Sequence, residues 1–87
     1  MVDLKEIADN LIKGKASEVK ELVKKALDEG VDVEKVLNEG PVAGMSVVGA
    51  KFKANEFYVP EVLIAARAMK AGMQILRPIL AEKISKG

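Results

Sequence analysis

Apolar residues recur along the first third of the chain at helical spacing. Leu4, Ile7, Ala8, Leu11 and Ile12 fall at i, i+3, i+4, i+7 and i+8, one stripe of an amphipathic helix from Asp3 to about Lys13. Val19, Leu22, Val23, Ala26 and Leu27 repeat the pattern between Ala16 and Glu29. Gly14 and Gly30 stand where each run stops, the position that a helical C-cap favours. Asp3 with Glu6 three residues on is a weaker, Asp form of a capping box. Glu21 and Lys25 make an i, i+4 pair on an outer face. With so few residues between them, the two helices are predicted to pack antiparallel as a hairpin.

Asp32 is a candidate N-cap for a third helix, and Val33, Val36, Leu37, Gly40, Gly44, Val47, Val48 and Phe52 continue the period. Gly40 and Pro41 lower helix propensity and remove one backbone donor, which predicts a kink there. A strand over Ser46 to Phe52 is the competing reading, and it fails because no second strand is present to pair with it. Ala54 to Val59 reads as a turn, since Asn55 tolerates left-handed backbone and Pro60 suits the first position of a helix. The fourth helix runs from Pro60 to about Ser85, with Pro78 as a kink site near its end. The fold class predicted is an all-α, up-down four-helix bundle with a kinked third helix.

The fourth helix is apolar over most of its circumference. One stripe is Val59, Val62, Leu63, Ala66, Met69, Met73, Leu76 and Leu80; a second is Ile64, Ala65, Ala68, Ala71, Gly72, Ile75 and Ile79. Between Pro60 and Ala81 its only charges are Glu61, Arg67, Lys70 and Arg77. Such a helix is either the central element of a small bundle or faces a second partner: another domain, another subunit or a large apolar ligand. Charge distribution adds to this contrast. Residues 1–39 hold 17 of the 27 charges, so the first two helices read as a solvated hairpin and the second half as the side that meets something.

Composition narrows the chemistry. The 87 residues are 49% hydrophobic, enough for one small domain over residues 1–87. There is no Cys, His or Trp, which excludes disulfides, a thiol nucleophile, an imidazole base and a zinc site of the usual Cys/His kind. A net charge of +1 lacks the footprint of a nucleic-acid binder. The longest uncharged run, Gly40 to Ala50, is well short of the roughly 20 residues that span a membrane. The N-terminus lacks a signal-peptide core, and the expected location is cytoplasmic.

Few side chains remain for reactive chemistry. Without His, no Ser-His-Asp arrangement can be built on Ser17, Ser46 or Ser85. Glu18, Glu21, Asp28 and Glu29 read as a solvated helix face. Glu61 lies in an apolar stretch, but its position beside Pro60 fits a first-turn acid favoured by the helix dipole. Gly40-x-x-x-Gly44 lacks the lysine and hydroxyl of a phosphate loop and fits close helix approach instead. Gly44-Met45-Ser46 bears a loose likeness to the prosthetic-group serine of acyl carrier proteins. That site has an acid immediately before the serine, and Met45 stands there instead.

The ordered stretches Gly44-Met45-Ser46-Val47-Val48-Gly49-Ala50-Lys51-Phe52, Phe57-Tyr58-Val59-Pro60-Glu61-Val62-Leu63 and Ala65-Ala66-Arg67-Ala68-Met69 carry a resemblance that covers essentially the whole chain. They closely resemble the N-terminal helical cap of corrinoid (cobalamin) methyl-carrier proteins. That family includes the corrinoid subunits of methanol and methylamine methyltransferase systems and the cobalamin-binding module of methionine synthase.

The resemblance implies a four-helix cap followed by a Rossmann-like domain. That second domain holds cobalamin and supplies a histidine axial ligand from an Asp-x-His-x-x-Gly motif. The cap covers the upper, methyl-bearing face and moves aside for methyltransferase proteins, and it is not itself an enzyme. By position, Phe52, Val59 and Val62 are implied to face the corrin, while Phe57, Leu63 and Met69 are assigned to the bundle core. The motif histidine is missing here, so the cofactor-binding domain is absent from this chain, and Lys83 to Gly87 reads as the start of a linker. The expectation is a cap separated from its cofactor domain rather than a stand-alone relative. Cobalamin would be bound in the full-length protein and not by this chain alone, which is expected to form a homodimer through Phe52, Val59 and Val62. The alternative is a helical protein-interaction module without a cofactor.

Overall fold

The computed structural model describes residues 2–86, with side chains described as far as Lys83. Four helices make up the described chain. They are α1 (Leu4–Ile12), α2 (Ala16–Asp28), a composite α3, and α4 (Val59–Lys86). The composite helix is built from Val33–Leu37, a π-helical turn Asn38–Val42, and Ala43–Lys53. No described residue is in a strand, so the Ser46 to Phe52 segment is helical as expected.

Local sequence explains each boundary. Asp3 caps α1 by accepting the Lys5 N–H at 2.9 Å, while Glu6 bonds Asp3 only through the backbone, its N–H donating to the Asp3 carbonyl at 2.9 Å, so Asp3 is the N-cap as expected but the predicted capping box does not form. α1 and α2 end in the same way. Lys15 N–H donates to the Asn10 carbonyl and Gly14 N–H to Leu11, and Val31 N–H donates to Ala26 and Gly30 N–H to Leu27. This is the Schellman arrangement, which needs left-handed backbone at its glycine; Gly14 has φ 75° and Gly30 φ 86°. Glu21 and Lys25 share an exposed face without coming within ion-pair distance, which corrects the predicted pair. Two solvated side chains gain little from holding one geometry.

The kink expected at Gly40-Pro41 is the π-helical turn, with both residues buried. Pro41 cannot donate to a helical carbonyl, and a π turn is a common way for a helix to absorb such an interruption. A Cβ on Gly40 would lie 2.9 Å from Ile7 Cγ2, and one on Gly44 would lie 3.1 Å from the Ala8 carbonyl oxygen and from Leu11 Cδ2. The glycines therefore let α3 press onto α1 at successive turns. Because higher numbers on α3 meet higher numbers on α1, the two run parallel. Lys83 of α4 reaches Asp32 and Glu34 at the start of α3, so α4 runs antiparallel to α3. The bundle is therefore up-down-up-down.

Ile7, Leu11, Val19, Val23, Val36, Val48 and Leu76 are fully buried and form the centre of the core. Each contributes about 1.5–3 kcal/mol relative to an exposed side chain. Among the described residues no polar or charged side chain is buried. α4 meets the core through Ala65, Ala68, Gly72 and Leu76. A Cβ on Gly72 would lie 3.1 Å from Val19 Cγ1, so this small-residue seam brings α4 close to α2. α4 is one uninterrupted helix through Pro78. The stretch from Lys83, read from sequence as the start of a linker, is helical to Lys86, and Gly87 lies outside the described residues. No helix among the described residues is long and apolar enough to cross a membrane.

Candidate functional site

The corner between α3 and α4 brings the three predicted surface residues to one end of the bundle. Phe52 is the penultimate residue of α3, Val59 opens α4, and Val62 follows on its first turn. α3 ends in a third Schellman arrangement: Glu56 N–H donates to the Lys51 carbonyl at 2.9 Å and Asn55 N–H to Phe52 at 3.1 Å. Asn55 holds the left-handed position at φ 63°, the role that glycine plays after α1 and α2. The Lys51 ammonium lies 5.4 Å from the centroid of the Phe57 ring, a cation–π contact across the turn. Glu61 then closes the corner by accepting the Tyr58 N–H at 2.7 Å. Its first-turn position favours a negative charge, as expected, and its carboxylate also caps an otherwise orphaned donor.

These fastenings hold an apolar surface open to solvent. Phe52 is 47% exposed, Val59 57% and Tyr58 65%. Val62 is half-buried and packs against the core, so Phe52 and Val59 present the surface while Val62 forms its root. Phe57 and Met69 are half-buried against the core, in line with their assignment to it. Leu63 is not a core residue: it is 60% exposed, which corrects that assignment. At about 100° per residue, Leu63 lies roughly 200° around α4 from Ala65, on the side away from the seam. It stands one turn beyond Val59 on the same face, so the exposed apolar surface includes Leu63 and Tyr58 as well as Phe52 and Val59.

Height along the bundle adds to this exposure. Gly14, in the α1–α2 turn, lies so close to Ile64 that a Cβ there would be 2.7 Å from Ile64 Cδ1. The short first helices thus end level with Ile64. Val59, five residues earlier on α4, stands about 7.5 Å further along the axis, at a rise of 1.5 Å per residue. The α3–α4 corner therefore overhangs the α1–α2 turn.

The opposite end carries the clearest electrostatic contact. Lys83 Nζ donates to Asp32 Oδ1 at 3.2 Å and lies 3.6 Å from Glu34 Oε1. Asp32 occupies the N-cap position as expected, but its side chain makes no capping hydrogen bond. The Lys83 hydrogen bond holds the Asp32 carboxyl below its ordinary value, and the Asp32 bond raises Lys83. Among the described residues, no group of three or more acids is placed to hold a metal ion.

Comparison with known proteins places this chain in a family. The model of the B12 binding domain family matches residues 3–77. A corrinoid protein of Desulfitobacterium hafniense is 40% identical over 80 residues, covering 92% of this chain and 37% of that protein. The trimethylamine corrinoid protein 2 of Methanosarcina acetivorans is 38% identical over 66 residues, covering 76% of this chain and 30% of that protein. Among solved structures, the monomethylamine corrinoid protein of Methanosarcina barkeri superposes with a TM-score of 0.82 at 32% identity, covering 86% of this chain and 35% of that one. The chain thus spans about a third of the length of these relatives. With the helical fold, the glycine-seated third helix and the family match running through nearly every described element, this chain belongs to the B12 binding domain family.

Proposed function

We propose that this chain is the helical cap of a corrinoid methyl carrier, a non-catalytic part that covers the upper face of the cofactor held by an adjoining Rossmann-like domain. The observation that carries the reading is the overhanging apolar corner of Phe52, Val59 and Leu63, which has no covering protein in this chain. The residues fit a corrinoid in one way and not in another. Apolar side chains suit the flat face of a macrocycle and the methyl group above it, whereas no histidine is present to ligate cobalt from below. The bound cofactor would supply the cobalt that carries the methyl group between methyltransferase proteins. Phe52 and Val59, with Val62 at their root, would exclude water from that face. Alone, the chain would bind cobalamin weakly or not at all and would pair with a second copy through the same corner.

A mixing experiment tests this. The isotope-labelled chain is titrated with a methylcobalamin-loaded cofactor domain, taken from the Methanosarcina barkeri protein without its own cap. Amide and methyl shifts concentrated at Phe52, Val59, Val62 and Leu63 are expected. Shifts confined to α1 and α2, or none at millimolar concentration, would favour an interaction module without a corrinoid.

A further inference from the structure

The face of α4 that carries Val59 and Leu63 holds a second feature further along the helix. Lys70, Gln74 and Arg77 border a recess of about 470 Å³ whose floor is Met69 and Met73. Both methionines are half-buried, and Lys70, Gln74 and Arg77 are exposed. From Val62 to Ala81 the helix carries Arg67, Lys70 and Arg77 and no acid at all. Residues 40–87 as a whole carry seven basic and three acidic side chains. None of the three cations on this stretch has an ion-pair partner among the described residues.

We propose that this recess docks an acidic surface of a protein partner, one that presents an apolar side chain flanked by carboxylates. Methionine supports such a floor because its unbranched, polarisable side chain refits to whatever enters. Arg77 offers a planar fork suited to a carboxylate, and Lys70, about two turns away, offers a point charge at the other end. Cations bordering an apolar hollow steer an acidic partner and fix its register.

The other polyanions fit less well. Three cations over about 15 Å of helix, in a protein of net charge +1, give little purchase on a nucleic acid. A lipid surface takes protruding apolar side chains, and here the larger ones lie in the floor of a hollow. The recess continues along the face of α4 that carries Val59 and Leu63, but none of Phe52, Val59 and Val62 lines it, so methionine signals at Met69 and Met73 report on it apart from the corner.

Methionine methyl resonances test it, with Met45 on α3 as the internal control. The chain, labelled at its methionine methyl groups, is titrated with a synthetic amphipathic peptide of Glu, Leu and Ala. Its Gln-for-Glu analogue, a short DNA duplex and phosphatidylglycerol vesicles are titrated in parallel. Saturable shifts of Met69 and Met73 without Met45 are expected, with the Gln analogue at least about tenfold weaker and raised salt weakening the Glu peptide. Lys70→Glu with Arg77→Glu should weaken the Glu peptide by a similar factor. Should that variant lose its helical circular dichroism, Lys70→Gln with Arg77→Gln is expected to give the same loss. Equal binding of the Gln analogue, shifts centred on Met45, tighter binding of DNA or vesicles, or no shift would overturn the proposal.

Discussion

Asn55 turns the chain between the two helices that present the corner. Its φ of 63° is left-handed, and a side chain without an Asn amide gains nothing there. Asn55→Ala is expected to lower stability by about 1–2 kcal/mol, and Asn55→Gly to leave it nearly unchanged. Urea unfolding of both variants checks this; equal losses would mean that backbone handedness is not what matters at this position. The role of Asn55 was legible in the sequence because left-handed tolerance is a property of the residue itself. The capping bond from Tyr58 N–H to Glu61 was not, because Tyr58 is not one of the residues that mark a helix start. Leu63 was misassigned for a different reason. Two apolar stripes on one helix leave the choice of buried side to whichever face carries residues small enough to approach α2, and that face is Ala65, Ala68 and Gly72.

At the scale of the helices, glycines decide the packing. Gly44 meets the backbone oxygen of Ala8, which cannot move aside as a flexible side chain can. Gly44→Leu is therefore expected to lower stability by about 1–3 kcal/mol or more, as overpacking does. Gly49, whose Cβ would meet nothing within 4 Å, should accept Ala without loss. Thermal melts of the two variants compare them directly, and an unchanged melting temperature for Gly44→Leu would remove the close-approach argument. The interruption at Gly40-Pro41 was visible in the sequence as a kink, but its form as a π turn was not, because Gly and Pro mark where a helix is interrupted and not which hydrogen-bond register it then takes.

The two ends of α3 and α4 are joined again by Lys83 and Asp32, and this contact has a defined pH window. The lowered Asp32 value contributes stability above its ordinary 3.8, lost as pH falls through the depressed folded value. The raised Lys83 value contributes stability below its ordinary 10.5, lost as pH rises through the elevated folded value. Lys83→Gln should therefore lower Tm by a small, constant amount near neutral pH, with the difference from the parent closing in strong acid. Both groups are exposed, so salt should also shrink it. A difference that persisted below about pH 2 would show that Lys83 acts through packing instead.

For the whole molecule, helix lengths explain why there is a surface to cover. α4 has 28 residues and, at about 1.5 Å each, matches the longest dimension of 42 Å. α1 has nine residues and α2 thirteen, so they cannot follow α4 to its N-terminal end. The length mismatch leaves Phe52 and Val59 open without any loss to the core, and Leu63, which faces away from the seam, extends the surface they form. Sedimentation of the chain alone is expected to show a dimer at high concentration, reduced to monomer by Phe52→Glu. A parent chain that remains monomeric would show that the patch is too small to drive self-association. The sequence showed the apolar excess of the second half, while the overhang needed the relative heights of the helix ends, which only the assembled bundle provides.

Shielding of a corrinoid's methyl group by this corner can be read from photolysis of methylcobalamin in a chimera in which this chain replaces the matching segment of the Methanosarcina barkeri monomethylamine corrinoid protein. With a shielding corner, Phe52→Ala combined with Val59→Ala is expected to make methyl loss severalfold faster than in the unmutated chimera, with the melting temperature little changed. Equal rates in the two chimeras, with both folded and loaded, would contradict it.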